Sequence, residues 1–129
     1  MTEDAGGFYA AVGGDETFRL LVADFYARVA TDPPLRELYP QHELDAAEER
    51  LRLFLMQYFG GPGTYSERRG HPRLRMRHHP FAVTPAQRGR WLTHMLAALD
   101  ARALPPHLDA PMREYFARAA DAMVNAEDG

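Results

Sequence analysis

The 129-residue chain contains no cysteine and no lysine. The absence of cysteine excludes a disulfide scaffold, a thiolate metal site and a cysteine nucleophile. No apolar run approaches the ~18 residues that a membrane-spanning helix needs, and the acidic amino terminus does not resemble a secretory signal. We therefore expect a cytoplasmic protein that does not contact membranes.

Strand patterns and internal repeats are also nearly absent. Few stretches alternate between apolar and polar residues, whereas apolar residues recur at helical spacing in four regions bounded by glycine or proline. No low-complexity tract divides the chain, and no repeat is visible. The sequence therefore predicts one all-α domain over residues 1–129.

The first two predicted helices have clear start and stop signals. The first begins near Asp15, a favourable N-cap, and ends before Pro33. The second begins at Asp45, with Glu48 at the capping-box position, and stops at Gly60. Both helices carry an apolar face, which predicts that they pack against a common core.

The third predicted helix opens at Thr84, with Pro85 in its first turn and Gln87 three residues after the cap, which is a capping-box pattern. The fourth begins at Pro105 or at Pro111. The sequence does not decide between these two prolines, because both suit the first turn of a helix.

A short helix is predicted after Pro72. On a helical wheel Leu74 and His78 point the same way, and Arg77 lies along one flank. His78 is therefore on the apolar side of this helix. It is either a half-buried histidine bonded to a backbone carbonyl or an axial metal ligand.

Two metal chemistries compete for this histidine. A zinc site needs three or four ligands, and adjacent His78 and His79 diverge by about 100° on a helix, so they do not chelate one ion together. Haem iron needs one protein ligand, an apolar slot and cations for the propionates. A haem group therefore explains a single histidine on the apolar side of the helix with fewer assumptions than a zinc ion does.

The arginines are the remaining unusual feature. All 15 basic residues are arginine, the formal net charge is −3, and residues 68–77 hold five of the arginines. This balance excludes a general attraction to nucleic acid. Because Leu74, Met76 and Phe81 interrupt the cluster, we interpret it as a solvated surface with one or two propionate contacts.

The segment from Gly60-Gly61-Pro62 through Tyr65 to His78 resembles the truncated haemoglobins, specifically their group II. Paired glycines are typical of truncated globins, and Tyr39 together with Trp91 is typical of group II. The resemblance extends over most of the chain, to Phe8-Tyr9, Phe25-Tyr26, Leu38-Tyr39-Pro40, Ala47 to Leu51, and Trp91-Leu92.

This resemblance implies a two-on-two helical sandwich around haem b, with two antiparallel helix pairs and His78 as the proximal iron ligand. It places Tyr26, Tyr39 and the Trp91 indole around the distal ligand. Ala47 occupies the position where longer globins usually carry a distal histidine, and Leu51 lies one turn after it. The remaining cofactor contacts that we expect are the apolar residues Phe54, Leu74, Phe81 and Met95, and the propionate donors Arg50, Tyr65 and Arg77.

We expect a protein that is not itself an enzyme and that reversibly binds O2, nitric oxide or carbon monoxide, for oxygen binding, storage, transport or sensing. An alternative is a redox enzyme, a nitric oxide dioxygenase or a peroxidase-like protein, that works with a separate reductase. A remote alternative is a haem-free helical interaction module that uses the arginine cluster as its contact surface. The sequence leaves open whether the chain forms a homo-oligomer.

Overall fold

The described part of the chain is built from α-helices. The computed structural model describes residues 7–37, 39, 44–63, 84–122 and 124. Across these residues no strand occurs, as the apolar periodicity predicts, and no helix is long and apolar enough to cross a membrane. The helices are α1 Gly7–Ala11, α2 Gly14–Val29, α3 Pro33–Arg36, α4 Leu44–Tyr58, α5 Pro85–Arg102 and α6 Pro106–Ala122.

The start of α2 differs from the prediction. Gly13 is the N-cap, with a φ of 117°, and Gly14 has a φ of 63°. Because these left-handed residues turn the chain into the helix one residue early, Asp15 lies in the first turn and is not the cap. Its carboxylate still lies near the positive end of the helix dipole. A Cβ at Gly13 would overlap Thr17 Oγ1, and L side chains rarely adopt this φ, so a substitution there is strained.

The bounds of α4 confirm one prediction and correct another. The helix begins at Leu44, so Asp45 belongs to its first turn and is not the N-cap. It ends at Tyr58, and Gly60 follows with a φ of 100°, as the glycine pair predicts. A Cβ on Gly61 would lie 2.7 Å from the Tyr9 ring, so this glycine allows the chain to pass close to α1.

The predicted capping box of α5 is confirmed. The Thr84 hydroxyl accepts a hydrogen bond from the Gln87 backbone N–H at 3.2 Å, and the Gln87 side chain accepts one from the Thr84 N–H at 3.1 Å. The choice left open for α6 is resolved, because the helix starts at Pro106 and includes Pro111 in its interior.

Helix α2 is the centre of the fold. It packs against α4 on one side and α5 on the other, and α5 packs in turn against α6. This gives the two helix pairs that the resemblance implies. Five apolar residues of α2 form part of the core and have no exposed surface. They are Phe18, Leu21, Val22, Phe25 and Val29.

Candidate functional site

Three aromatic side chains with hydrogen-bond donors come together in the core. Tyr26 lies on α2, Tyr39 follows α3, and Trp91 lies near the start of α5. The ring centroids of Tyr26 and Tyr39 are 5.5 Å apart, at an edge-to-face angle of 78°. Phe25 links this pair to Trp91, since its centroid lies 4.9 Å from Tyr26 and 5.4 Å from Trp91.

Local structure explains how each donor reaches this place. Tyr26 lies four residues after Val22 and eight after Phe18, both fully buried, so it extends the inward face of α2. Tyr39 is held by a turn, in which its N–H donates to the Arg36 carbonyl at 3.1 Å and the Arg36 guanidinium donates to its carbonyl at 3.3 Å. The capping box fixes where α5 begins and therefore the direction of Trp91.

Burial dominates the protonation of the two tyrosines. It raises the pKa of Tyr26 well above its ordinary value, and the nearby Tyr39 raises it further by repulsion and by a hydrogen bond. Burial also raises the pKa of Tyr39, while hydrogen bonds with Tyr26 and Trp91 act in the opposite direction. Because an indole N–H can only donate, the Tyr39 oxygen is the acceptor of the bond with Trp91. Both tyrosines therefore remain neutral donors at physiological pH.

Apolar residues of α4 and α5 lie in the same core as the donors. Ala47 and Phe54 on α4 are 5% and 7% exposed, and Met95 on α5 has no exposed surface. All three belong to the same core cluster as Tyr26, and Leu51 packs against this cluster. Ala47 carries no side-chain donor, so among these described residues the donors are the two tyrosines and the tryptophan.

Two charged residues of α4 lie near Tyr26. The Arg50 guanidinium lowers the pKa of the Tyr26 phenol, and the Glu48 carboxylate raises it, but both effects are smaller than that of burial. Arg50 is itself half-buried. This places a cation at the edge of the apolar site, where a propionate donor is expected.

Five of the predicted cofactor contacts fall outside the described residues, namely Tyr65, Leu74, Arg77, His78 and Phe81. The role of His78 as iron ligand therefore stays a prediction, and the competing His71 and His79 lie in the same undescribed segment. His94 is described, and its Nε2 lies 2.8 Å from Asp32 Oδ2. The His94 ring is therefore bonded to Asp32.

The sequence interpretation missed Asp32 and its partners on α5. Besides His94, this carboxylate binds the Arg90 guanidinium at 2.8 Å, and the Asp32 side chain is only 11% exposed. Nothing local predicts these contacts, because 58 and 62 residues separate the partners. The place of Asp32 before two prolines indicates a helix start but not a partner.

Comparisons with known proteins place this chain in a family. A family model described as bacterial-like globin matches residues 7–125. Group 2 truncated hemoglobin YjbI of Bacillus subtilis is 42% identical over 92 residues, which cover 71% of this chain and 68% of that protein. In a plant relative, Two-on-two hemoglobin-3 of Arabidopsis thaliana, the match spans about half of the protein, 51% of its length.

Solved structures of haemoglobins are also similar to this chain, and they cover more of it. A thermostable hemoglobin from Thermobifida fusca is 64% identical, with a TM-score of 0.90 over 92% of this chain and 96% of that one. The group II truncated hemoglobin from Bacillus anthracis is 35% identical, with a TM-score of 0.89 over 95% and 93% of the two chains. This chain therefore belongs to the bacterial-like globins and, among them, to the haem-binding group II truncated haemoglobins.

Proposed function

We propose that this globin binds haem b through His78 and reversibly binds O2 and other diatomic ligands on the opposite face of the haem. The observation that carries the proposal is the convergence of Tyr26, Tyr39 and Trp91 in a buried apolar site. Three donors at one place serve a small polar ligand better than they serve an apolar core.

The described residues fit a haem group. A flat apolar cofactor needs an apolar wall, which Leu51, Phe54 and Met95 supply. Its propionates need cations at the edge, where Arg50 lies. In the proposal Leu74 and Phe81 complete the apolar wall, and Tyr65 and Arg77 add propionate donors.

When bound, haem supplies a ferrous iron that takes a diatomic ligand and moves electron density onto it. Donors that point at the ligand stabilise this charge. Because the Tyr39 oxygen accepts a hydrogen bond from the Trp91 N–H, its own O–H is available to the ligand. Accepting that bond also polarises this O–H, which strengthens the bond that it donates.

Such a site is expected to hold O2 strongly and to release it slowly. One structural relative, the truncated oxygen-avid haemoglobin from Bacillus subtilis, is 36% identical with a TM-score of 0.85. Its likeness to this chain supports a similar role here. Slow release suits oxygen binding, storage or sensing rather than bulk delivery.

The test is whether haem is lost from two neighbouring histidine variants. His78→Ala is expected to purify with little haem and to be less stable, because a cofactor that binds only the native state stabilises it by mass action. His79→Ala is the matched control and is expected to retain haem. The absorption spectrum and its Soret band measure the haem content, and thermal unfolding measures the stability.

The outcomes separate the hypotheses. A wild-type protein that purifies without a Soret band and takes up no added haem would contradict a haem function altogether. Full haem content in His78→Ala, together with loss in His79→Ala, would show that the proximal ligand has been assigned to the wrong residue.

A further inference from the structure

Asp32 lies at the start of α3, but its side chain is directed to α5. Oδ1 lies 2.8 Å from Arg90 Nη1, and Oδ2 lies 2.8 Å from His94 Nε2. Although Asp32 occupies the N-cap position of α3, its side chain makes no capping hydrogen bond there. Both carboxylate oxygens are therefore used to join two helices rather than to cap one.

The two partners of Asp32 lie on either side of Trp91 in the chain. Arg90 immediately precedes the tryptophan, and His94 follows it by three residues. Residues four apart share one face of a helix, so Arg90 and His94 hold α5 at two points about one turn apart. Two such contacts restrict both the sliding and the rotation of the turn that carries Trp91.

Hydrogen bonds through Arg36 connect Asp32 to Tyr39. The Asp32 carbonyl accepts a hydrogen bond from the Arg36 N–H at 2.8 Å, and the Arg36 guanidinium donates to the Tyr39 carbonyl at 3.3 Å. Pro33 and Pro34 lie in the first turn of α3, and their rings restrict the backbone there. A displacement of Asp32 is therefore transmitted to Tyr39.

Segment 32–39 is thus attached to α5 twice. Asp32 binds Arg90 and His94, and the Tyr39 hydroxyl bonds with the Trp91 indole. We propose that Asp32 is a positioning residue that holds Tyr39 and Trp91 in hydrogen-bonding geometry and so sets how slowly the pocket releases its ligand. This inference rests on the proposed reversible binding of a diatomic ligand.

An ordinary surface ion pair would not have this effect. Exposed pairs contribute little, because water screens the charges and the side chains stay free to move. The Asp32 side chain is 11% exposed and uses both oxygens, so Asp32→Asn removes the charge and leaves one acceptor oxygen for the two donors on α5. Hydrogen bonds weaken steeply with distance and angle, so a small shift of α3 alters the Tyr39–Trp91 bond.

The test compares Asp32→Asn with Asp24→Asn. Asp24 also binds α5, since its Oδ2 lies 3.3 Å from Arg102 Nη2 at the other end of that helix. It therefore serves as the matched control. Two quantities are measured in the ferrous protein, the O2 dissociation rate and the indole N–H resonance of the single tryptophan in the diamagnetic carbon monoxide complex. The second readout reports on Trp91 directly and does not depend on O2 release.

We expect Asp32→Asn to shift the indole resonance and to raise the O2 dissociation rate by about threefold or more, as weakening one hydrogen bond predicts. Asp24→Asn is expected to change neither quantity. In a Trp91→Phe background, Asp32→Asn is expected to add no further increase, because the bond that it positions is already gone.

Two histidine variants keep the test valid if Asp32→Asn folds poorly. His94→Gln retains an N–H donor that reaches the carboxylate, so it is expected to behave like the wild type. His94→Leu removes the donor and is expected to reproduce the indole shift and the faster O2 release. Arg90→Met removes the other partner at a side chain that is 47% exposed, where substitution is tolerated.

Failure of the inference is distinguishable from failure of the proposed function. An unchanged indole resonance and an unchanged O2 dissociation rate in both Asp32→Asn and His94→Leu would overturn the positioning role. Equal effects of Asp24→Asn and Asp32→Asn would also overturn it, since Asp32 would then act only as a general stabiliser. Failure of Trp91→Phe to alter O2 release would instead contradict the donor role of Trp91.

Discussion

Single residues in this globin derive their chemistry from burial. Burial raises the pKa of Tyr26 and Tyr39, which keeps both phenols protonated and able to donate. Burial also raises the pKa of Tyr115 to about 12, with a smaller contribution from the neighbouring Tyr58. A phenol on the surface would exchange its hydrogen bond with water, whereas a buried one is directed to a fixed partner.

Trp91 offers the most direct test of the donor site. Trp91→Phe removes the indole N–H but keeps an aromatic ring against Phe25 and Phe116, whose centroids lie 5.4 and 6.3 Å away. Because the indole holds the Tyr39 hydroxyl, its loss weakens the bond from Tyr39 to the charged ligand, which contributes about 1.5–3 kcal/mol, so the O2 dissociation rate is expected to rise about tenfold or more. Stopped-flow displacement of O2 by carbon monoxide measures this rate.

The matched control is Tyr58→Phe, which removes a hydroxyl from a side chain that is 49% exposed on α4. It is expected to leave O2 release unchanged. If Trp91→Phe and Tyr39→Phe both released O2 at the wild-type rate, the ligand would have to be bound by other residues.

At the scale of elements, the start of α5 connects sequence to function most clearly. The capping box begins the helix at Pro85, and six residues later Trp91 projects toward Phe25 and the distal tyrosines. The same turns carry Arg90 and His94, which bind Asp32. A first turn without its cap is free to fray, and fraying would loosen the start of the helix that carries Trp91.

Removal of the cap is expected to destabilise this end of the molecule. Thr84→Ala removes the hydroxyl that accepts the Gln87 N–H and is expected to lower the free energy of unfolding by about 1 kcal/mol. Thr93→Ala is the matched control, because Thr93 lies exposed in the middle of α5. Urea denaturation of the two variants measures the difference, and an equal loss in both would show that the cap itself contributes nothing.

At the scale of the whole molecule, two helix pairs bury a donor site beside a charged edge. We propose that such a molecule binds its ligand rather than turning over a substrate on its own. Conversion of nitric oxide and O2 to nitrate consumes one electron each time, so continued reaction needs an external reductant. The chain is therefore expected to react with nitric oxide once and then to stop.

Rapid mixing with nitric oxide tests this expectation. The O2-saturated ferrous protein is expected to consume a stoichiometric amount of nitric oxide in a single phase and to continue only after a reductase and its electron donor are added. His78→Ala, stripped of haem, is the control and is expected to consume none. Multiple turnovers without added reductant would make the protein an enzyme in its own right.

Local signals in the sequence determined where most of the helices lie. The Gly60 stop and the Thr84 capping box were predicted correctly, because each depends on backbone or side-chain contacts within a few residues. Asp15 and Asp45 were predicted as N-caps and proved to be first-turn residues. Ser, Thr, Asp and Asn patterns locate a helix start only to within a residue or two, and at Gly13 the left-handed backbone decided the position.

The composition of the site was also readable from the sequence. The helical spacing of Tyr26 placed it on the core face, and the resemblance to truncated haemoglobins brought in Tyr39 and Trp91. The geometry of the donors was not readable in this way. The burial and relative placement of the two tyrosines and the indole are set only when α2, α3 and α5 pack together.

Only the tertiary structure joined Asp32 to Arg90 and His94. No periodicity or capping rule relates residues 58 and 62 positions apart, because such rules describe contacts within one element. The packing of α3 on α5 partly covers the carboxylate and brings both partners to it. The sequence by itself therefore determined most of the helices and indicated the aromatic residues of the candidate site, and the packing of helices determined which side chains lie against one another there.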